Sequence, residues 1–149
     1  MRPELLNILV DPKTKEPLVL KNAVYVKGEI EEGELFSLSG NRFSIRNGIP
    51  RFVHVNNYAD SFGLQWNRFA KTQLDSVTGQ GYSRKRFENE VRWDKSWAKD
   101  KWILDAGCGA GRFAEIASQL DCNLVALDMS SAIDAAKANL SGAQNIDFV

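Results

Sequence analysis

The stretch Ile103-Leu104-Asp105-Ala106-Gly107-Cys108-Gly109-Ala110-Gly111-Arg112-Phe113 constrains the fold more than any other part of the chain. An apolar run ends in an acid, glycines follow at alternate positions, and a segment with helical spacing begins. Glycine alone enters positive φ without penalty, so this pattern predicts a tight strand-to-helix turn in which a side chain would fill ligand volume or distort the backbone. Such a junction aims backbone donors and the positive end of the helix dipole at a ligand. A second acid, Asp128, ends the next apolar run Leu124-Val125-Ala126-Leu127, 21 residues after Gly107. There it sits at the tip of the neighbouring strand, where a carboxylate accepts hydrogen bonds from ribose hydroxyls. Together the two features predict a nucleoside site.

The surrounding pattern predicts an α/β fold. From Trp102 the chain alternates strand Trp102–Ala106, helix Arg112–Leu120, strand Asn123–Leu127, helix Ser131–Leu140 and strand Ile146–Val149, the order of a parallel sheet with crossover helices. Ser131 followed by Asp134 is the expected start signal of the second helix. Residues 1–56 read instead as a small β-rich unit: a short helix-like start at Leu5, Leu6 and Ile8, then strand-like runs broken by Gly28, Gly33 and Gly40. Asn47-Gly48 predicts a tight hairpin turn, and Pro50 limits the following strand to an edge or a partial pairing. Residues 57–100 form a helical lead-in, with Phe62, Trp66 and Phe69 at helical spacing and Phe87 and Val91 one turn apart. Between them, Ser76–Gly81 reads as a polar loop.

Charge and composition narrow the function. Nineteen basic residues balance nineteen acidic ones, so no net field draws the chain to nucleic acid or an anionic membrane. No apolar run suits a membrane span and no leader is evident, which predicts a cytoplasmic protein. Two cysteines and one histidine leave neither a disulfide framework nor a structural zinc site. Cys108, between two glycines and with no histidine nearby, reads as a small buried filler. The aromatic stripe reads first as core, Arg84-Lys85-Arg86 as a solvated helix face, His54 as a linker residue, and Glu29, Glu31, Glu32 and Glu34 as solvating a turn.

The turn also discriminates between cofactors. In the dinucleotide fingerprint a glycine or alanine stands three residues after the second glycine, and that place is Arg112. Nor does that fingerprint use an acid two residues before its first glycine, where Asp105 stands.

At these residues Asp105-Ala106-Gly107-Cys108-Gly109-Ala110-Gly111 resembles the first motif of class I S-adenosylmethionine-dependent methyltransferases, and Asp128 falls where their second motif places the ribose-binding acid. The stretch Asp60-Ser61-Phe62-Gly63-Leu64-Gln65-Trp66-Asn67-Arg68-Phe69, continued by Thr72–Ser76, is similar to the segment before that motif in the group called methyltransferase type 11. The resemblance implies S-adenosyl-L-methionine as cofactor and a partial Rossmann-like sheet. It implies that the backbone from Ala106 through Gly107, Cys108 and Gly109 to Gly111 lies against the methionine part. Asp105 then organises the amino group, Asp128 holds the ribose, and Met129 lies beside the adenine. Leu9–Leu18 and Phe43–Pro50 resemble the ends of small zinc-ribbon-like units related to the tRNA-methyltransferase activator subunit. Asp11 and Thr14 stand where zinc-binding members have cysteines, which implies a metal-free ribbon.

The expected function is therefore methyl transfer to an unidentified acceptor, with no catalytic base assignable. The chain ends near the third strand of such a sheet, so it is expected to be an incomplete enzyme, inactive alone, whose open sheet edge favours self-association. The alternative is a non-catalytic partner or activator of a methyltransferase.

Overall fold

The computed structural model describes residues 1–53, 69 and 71–149, so the expectations for His54, Phe62, Trp66 and the rest of 54–68 lie outside the described residues. The chain divides into two compact units, Met1–His54 with Asp147–Val149, and Val55–Ile146.

In the first unit, two dipeptides fix the strand directions. Lys27-Gly28 (φ 51° and 86°) and Asn47-Gly48 (φ 49° and 62°) hold paired positive φ angles, the geometry whose twist matches a two-residue hairpin. They reverse β1 (Val19–Val26) into β2 (Glu29–Phe36) and β3 (Arg42–Arg46) into β4 (Ile49–Arg51). The result is a four-stranded antiparallel sheet in sequential order, with β4 and its Pro50 at an edge as expected. Leu5, Ile30, Leu35, Ile45 and Ile49 are buried in this unit, and Leu5 comes from a 3₁₀ helix over Pro3–Asn7. Two expectations fail here. Gly33 does not break a strand but lies inside β2, and the acidic run Glu29, Glu31, Glu32 and Glu34 lines that same strand rather than a turn. Pairing with β1 and β3 fixes the extended backbone there, a tertiary effect that local polarity does not encode.

The turns at 11–16 and 37–41 are held by side chains. The buried Asp11 carboxylate accepts the Lys13 N–H at 2.8 Å through Oδ1 and the Asn41 side-chain amide at 2.7 Å through Oδ2. Glu16 accepts the backbone and hydroxyl of Ser39 at 2.9 and 2.8 Å. Burial works against the Asp11 anion, but donors from Asn41, Lys13, Ser37 and Thr14 outweigh it and hold the pKa at about 2. A hydrogen-bonded clasp thus joins the two turns.

In the second unit, β5 (Trp102–Ala106) pairs in parallel with β6 (Asn123–Leu127), Trp102 opposite Asn123 and Ala106 opposite Leu127. Strand β7 (Ile146–Phe148) completes a three-stranded parallel sheet in the order β5-β6-β7. The fold class is accordingly mixed α/β. Before this sheet come α1 (Asp75–Thr78), α2 (Tyr82–Glu90) and α3 (Lys95–Ala98); within it, α4 (Ala114–Ala117) follows β5 and α5 (Ala132–Asn139) follows β6. The interior holds Ile103, Ala114, Ile116, Leu124, Ile133 and Ala136. Phe87 is buried, whereas Phe69, a member of the aromatic stripe expected to be core, is half exposed.

Three local expectations are corrected. Asp75–Thr78 is a short helix where a loop was expected, because the buried Glu115 carboxylate of α4 accepts the N–H groups of Asp75 (2.9 Å) and Ser76 (3.3 Å) and caps it. The helix after the glycines is shorter than Arg112–Leu120, being α4 and then a 3₁₀ turn over Ser118–Leu120. The start of α5 is capped not by Ser131, whose side chain makes no capping bond, but by Ser130, whose hydroxyl accepts the Ala132 N–H at 3.2 Å.

Candidate functional site

The site is built where β5 and β6 end side by side. Parallel pairing brings Ala106 level with Leu127, so the acid just before the first strand end, Asp105, and the acid just after the second, Asp128, both stand at the sheet tip. The turn between β5 and α4 reverses on three positive-φ glycines, Gly107 (80°), Gly109 (55°) and Gly111 (94°).

The glycines do different work. A Cβ on Gly107 would meet nothing within 4 Å, so its demand is conformational and its face is open. A Cβ on Gly111 would lie 2.8 Å from Leu140 Cδ1 and 3.6 Å from Ala136 Cα. Gly111 therefore permits the turn to approach the end of α5 and lies against protein there, so of the two expected reasons for a glycine, ligand volume or distortion of the turn, packing applies at this position.

The turn's donors are largely turned inward. Gly107 and Cys108 both donate to the Leu127 carbonyl, at 2.8 and 3.0 Å, and Gly111 donates to the Cys108 carbonyl at 2.9 Å. Gly109 donates to Asp128 Oδ2 at 2.8 Å. At the helix start, the Ala114 amide favours the charged form of the Asp105 carboxyl. The expectation that this junction directs its backbone donors outward is thus overturned for these residues: the Leu127 carbonyl, Asp128 and the turn's own Cys108 carbonyl take them. Four engaged turn amides oppose a pyrophosphate-binding loop, which needs such donors free.

The two carboxyl groups are treated oppositely. Asp128 accepts Gly109 through Oδ2, and the Ser130 N–H (2.9 Å) and hydroxyl (2.6 Å) through Oδ1. Asp105 Oδ2 is sealed from water without a hydrogen-bond partner. Burial pushes the Asp105 carboxyl above its ordinary range; the Ala114 amide opposes this and the nearby Asp128 charge adds to it.

Ala106 is exposed beside the turn and Met129, 43% exposed, follows Asp128 at the rim. Cys108 is buried, and burial, together with Asp105 and Asp128, pushes its thiol far up, so it remains protonated at neutral pH and is no nucleophile. Arg112, the residue that breaks the dinucleotide spacing, donates through Nε to the Ser83 hydroxyl at 2.9 Å and lies over the Phe113 ring. Sequence reasoning missed the positioning residues Glu115 and Asp75. The latter accepts the N–H groups of Ser83 (3.1 Å) and Arg84 (2.7 Å) at the start of α2, and an acid so far before a helical run gives no local signal of that. Arg84, Lys85 and Arg86 are exposed on α2, with Arg84 near Glu88 and Arg86 bonded to Glu90. Among the described residues no cluster of acids, histidines and cysteines is arranged to hold a metal, and no helix is long and apolar enough to cross a membrane.

No protein-family model matches this chain, and no curated protein matches it.

Proposed function

We propose that the chain binds S-adenosylmethionine at the β5 turn and is the cofactor-binding part of a methyltransferase. The observation that carries the reading is the buried Asp105 carboxyl, one oxygen of which has no donor. An unsatisfied buried carboxyl oxygen is costly, and a cationic donor-bearing ligand relieves that cost. S-adenosylmethionine carries an ammonium and a sulfonium; a dinucleotide would bring an anionic pyrophosphate to two acids and a turn whose amides are already bonded. The residues present therefore fit the former.

In this reading Asp105 takes the ammonium, and the backbone of Ala106, Gly107, Cys108 and Gly109 lies against the methionine part, with Gly111 supporting the turn from behind. Asp128 accepts ribose hydroxyls. It already receives three hydrogen bonds, and a carboxylate has about four acceptor positions, so one hydroxyl adds without displacing them. Met129 covers the adenine. The bound cofactor supplies an activated methyl group, and the protein's contribution is alignment, which is worth about 7–11 kcal/mol when an acceptor is held in line. No residue is assigned as a base.

The test is titration calorimetry with S-adenosylhomocysteine and with a nicotinamide dinucleotide. Gly109→Val should abolish binding of the former, and Asp128→Ala should weaken it by about 1–3 kcal/mol through lost hydrogen bonds. Tighter binding of the dinucleotide would overturn the assignment.

A further inference from the structure

The hydrogen bonds to Asp128 are distributed unevenly between its two oxygens. Oδ1 accepts both the Ser130 N–H at 2.9 Å and the Ser130 hydroxyl at 2.6 Å. Oδ2 accepts the Gly109 N–H at 2.8 Å. Each carboxylate oxygen offers about two acceptor positions, so Oδ1 is filled by Ser130 and Oδ2 keeps one position open. Ser130 is itself fully committed. Its hydroxyl proton goes to Asp128, and its oxygen accepts the Ala132 N–H at 3.2 Å at the start of α5. At 7% exposure it lies behind the carboxylate rather than against a ligand. Both donors of this one residue therefore hold Asp128, and they tie it to the first turn of α5. A ribose presents two neighbouring hydroxyls, and Asp128 can take both only by giving up Ser130 or Gly109.

From this arrangement we infer that Ser130 is a positioning residue for the ribose acid: by filling one oxygen of Asp128 it leaves a single acceptor position, on the oxygen that Gly109 shares, and makes the site read one ribose hydroxyl and not its neighbour. The inference rests on the nucleoside reading for the identity of the ligand. The hold of Ser130 on Asp128 is independent of any ligand and is tested separately.

The experiment titrates the whole chain with adenosine, 2′-deoxyadenosine and 3′-deoxyadenosine by ligand-observed NMR, and measures exchange of the Gly109 amide without ligand. In the wild type, loss of one hydroxyl should weaken binding about tenfold and loss of the other less than about threefold. Ser130→Ala should bring the two deoxynucleosides to within about threefold of each other, and Ser130→Thr, which keeps the hydroxyl, should restore the difference. Ser130→Gly also removes the hydroxyl, at less cost to the helix start, and serves if the alanine variant does not fold. Ala138→Gly, at an exposed position of α5, weakens the helix without touching Asp128 and should leave the discrimination at its wild-type value. Gly109 exchange should be about fivefold faster or more in Ser130→Ala, and close to wild type in Ser130→Thr and Ala138→Gly. Equal weakening by the two deoxynucleosides in the wild type, or discrimination unchanged in a folded Ser130→Ala or Ser130→Gly chain, would overturn the proposal. So would the same loss of discrimination in Ala138→Gly, because Ser130 would then act only as a helix cap. If no nucleoside binds the wild type, the nucleoside reading and the single-hydroxyl claim fall together, whereas unchanged Gly109 exchange in Ser130→Ala overturns the hold on Asp128 alone.

Discussion

Gly111→Ala separates packing from ligand contact in the glycine turn. The new methyl would lie 2.8 Å from Leu140 Cδ1, where carbon atoms prefer about 3.5–4.0 Å, and Leu140 is only 7% exposed with Ala136 Cα 3.6 Å from the same point. Relieving that overlap requires a displaced side chain or helix end, about 1–3 kcal/mol for an overpacked core position. The backbone adds its own cost, since φ of 94° is strained for alanine by about 1–3 kcal/mol. The expected loss is therefore about 2–6 kcal/mol. Gly107→Ala supplies the control: its φ of 80° carries the same kind of strain, but nothing lies within 4 Å of the added Cβ, so only the backbone part, about 1–3 kcal/mol, applies.

Urea denaturation followed by tryptophan fluorescence measures this in the correct unit, because all four tryptophans lie between residues 66 and 102. A double-mutant cycle with Leu140→Ala isolates the overlap: shortening Leu140 should cost about 1–3 kcal/mol less in the Gly111→Ala background than in the wild type. Equal losses for the two alanine variants and no coupling to Leu140 would refute the assignment of Gly111 to packing.

Two further outcomes follow from the acids. Because the folded Asp105 carboxyl sits above its ordinary range, its contribution to stability is full below the unfolded pKa and is lost as pH rises through the raised value. Asp105→Asn should accordingly raise the urea midpoint, more at pH 7 than at pH 4, while abolishing S-adenosylhomocysteine binding; a lower midpoint at pH 7 would contradict this. Asp11 has the opposite sign: with its pKa lowered from 3.8 to about 2, its contribution is present above the ordinary carboxylate value and is lost as pH falls through about 2. Amide exchange in β1 and β2 should remain slow down to pH 4 and accelerate below it, and Asp11→Asn should remove that acid transition. With a hydrogen-bonded clasp in place, EDTA should leave the melting temperature unchanged, and stoichiometric zinc resistant to dialysis would contradict the expectation that this unit folds without metal.

The sequence carried the strands β5 and β6 residue by residue, and the Asn47-Gly48 hairpin with its Pro50 edge, because those signals are local: apolar runs stopped by an acid, and residues that accept positive φ. What it did not carry depends on partners far along the chain. Glu115 caps a helix 40 residues earlier and turns an apparent polar loop into α1. The acidic run at Glu29–Glu34 reads as solvated, yet pairing on both sides makes it a strand. Ser130 displaces Ser131 as the cap because its hydroxyl is held by Asp128, a contact across the strand end that no i-to-i+3 pattern reports. At the site, the glycine spacing located the turn but not the direction of its amides, since Leu127 and Asp128, the acceptors that draw three of them inward, come from the neighbouring strand end.

That inward direction changes the chemistry the turn selects. A loop with free amides is an anion site, because each N–H offers a positive end to the ligand. Here the amides of Gly107, Cys108 and Gly109 are used to bind the end of β5 to the end of β6, and the Ala114 amide favours the charged form of Asp105. What remains is acceptor capacity: a buried carboxyl with an unsatisfied oxygen and a second carboxylate about one acceptor position short of saturation. A ligand for this turn must bring donors and positive charge. It must also displace little, since opening the Gly109–Asp128 bond would leave a backbone donor and a carboxylate unpaired together. An ammonium placed at Asp105 with a hydroxyl added to Asp128 meets both conditions; a phosphate meets neither, and converting this turn to a phosphate site would require freeing amides that now join the two strands.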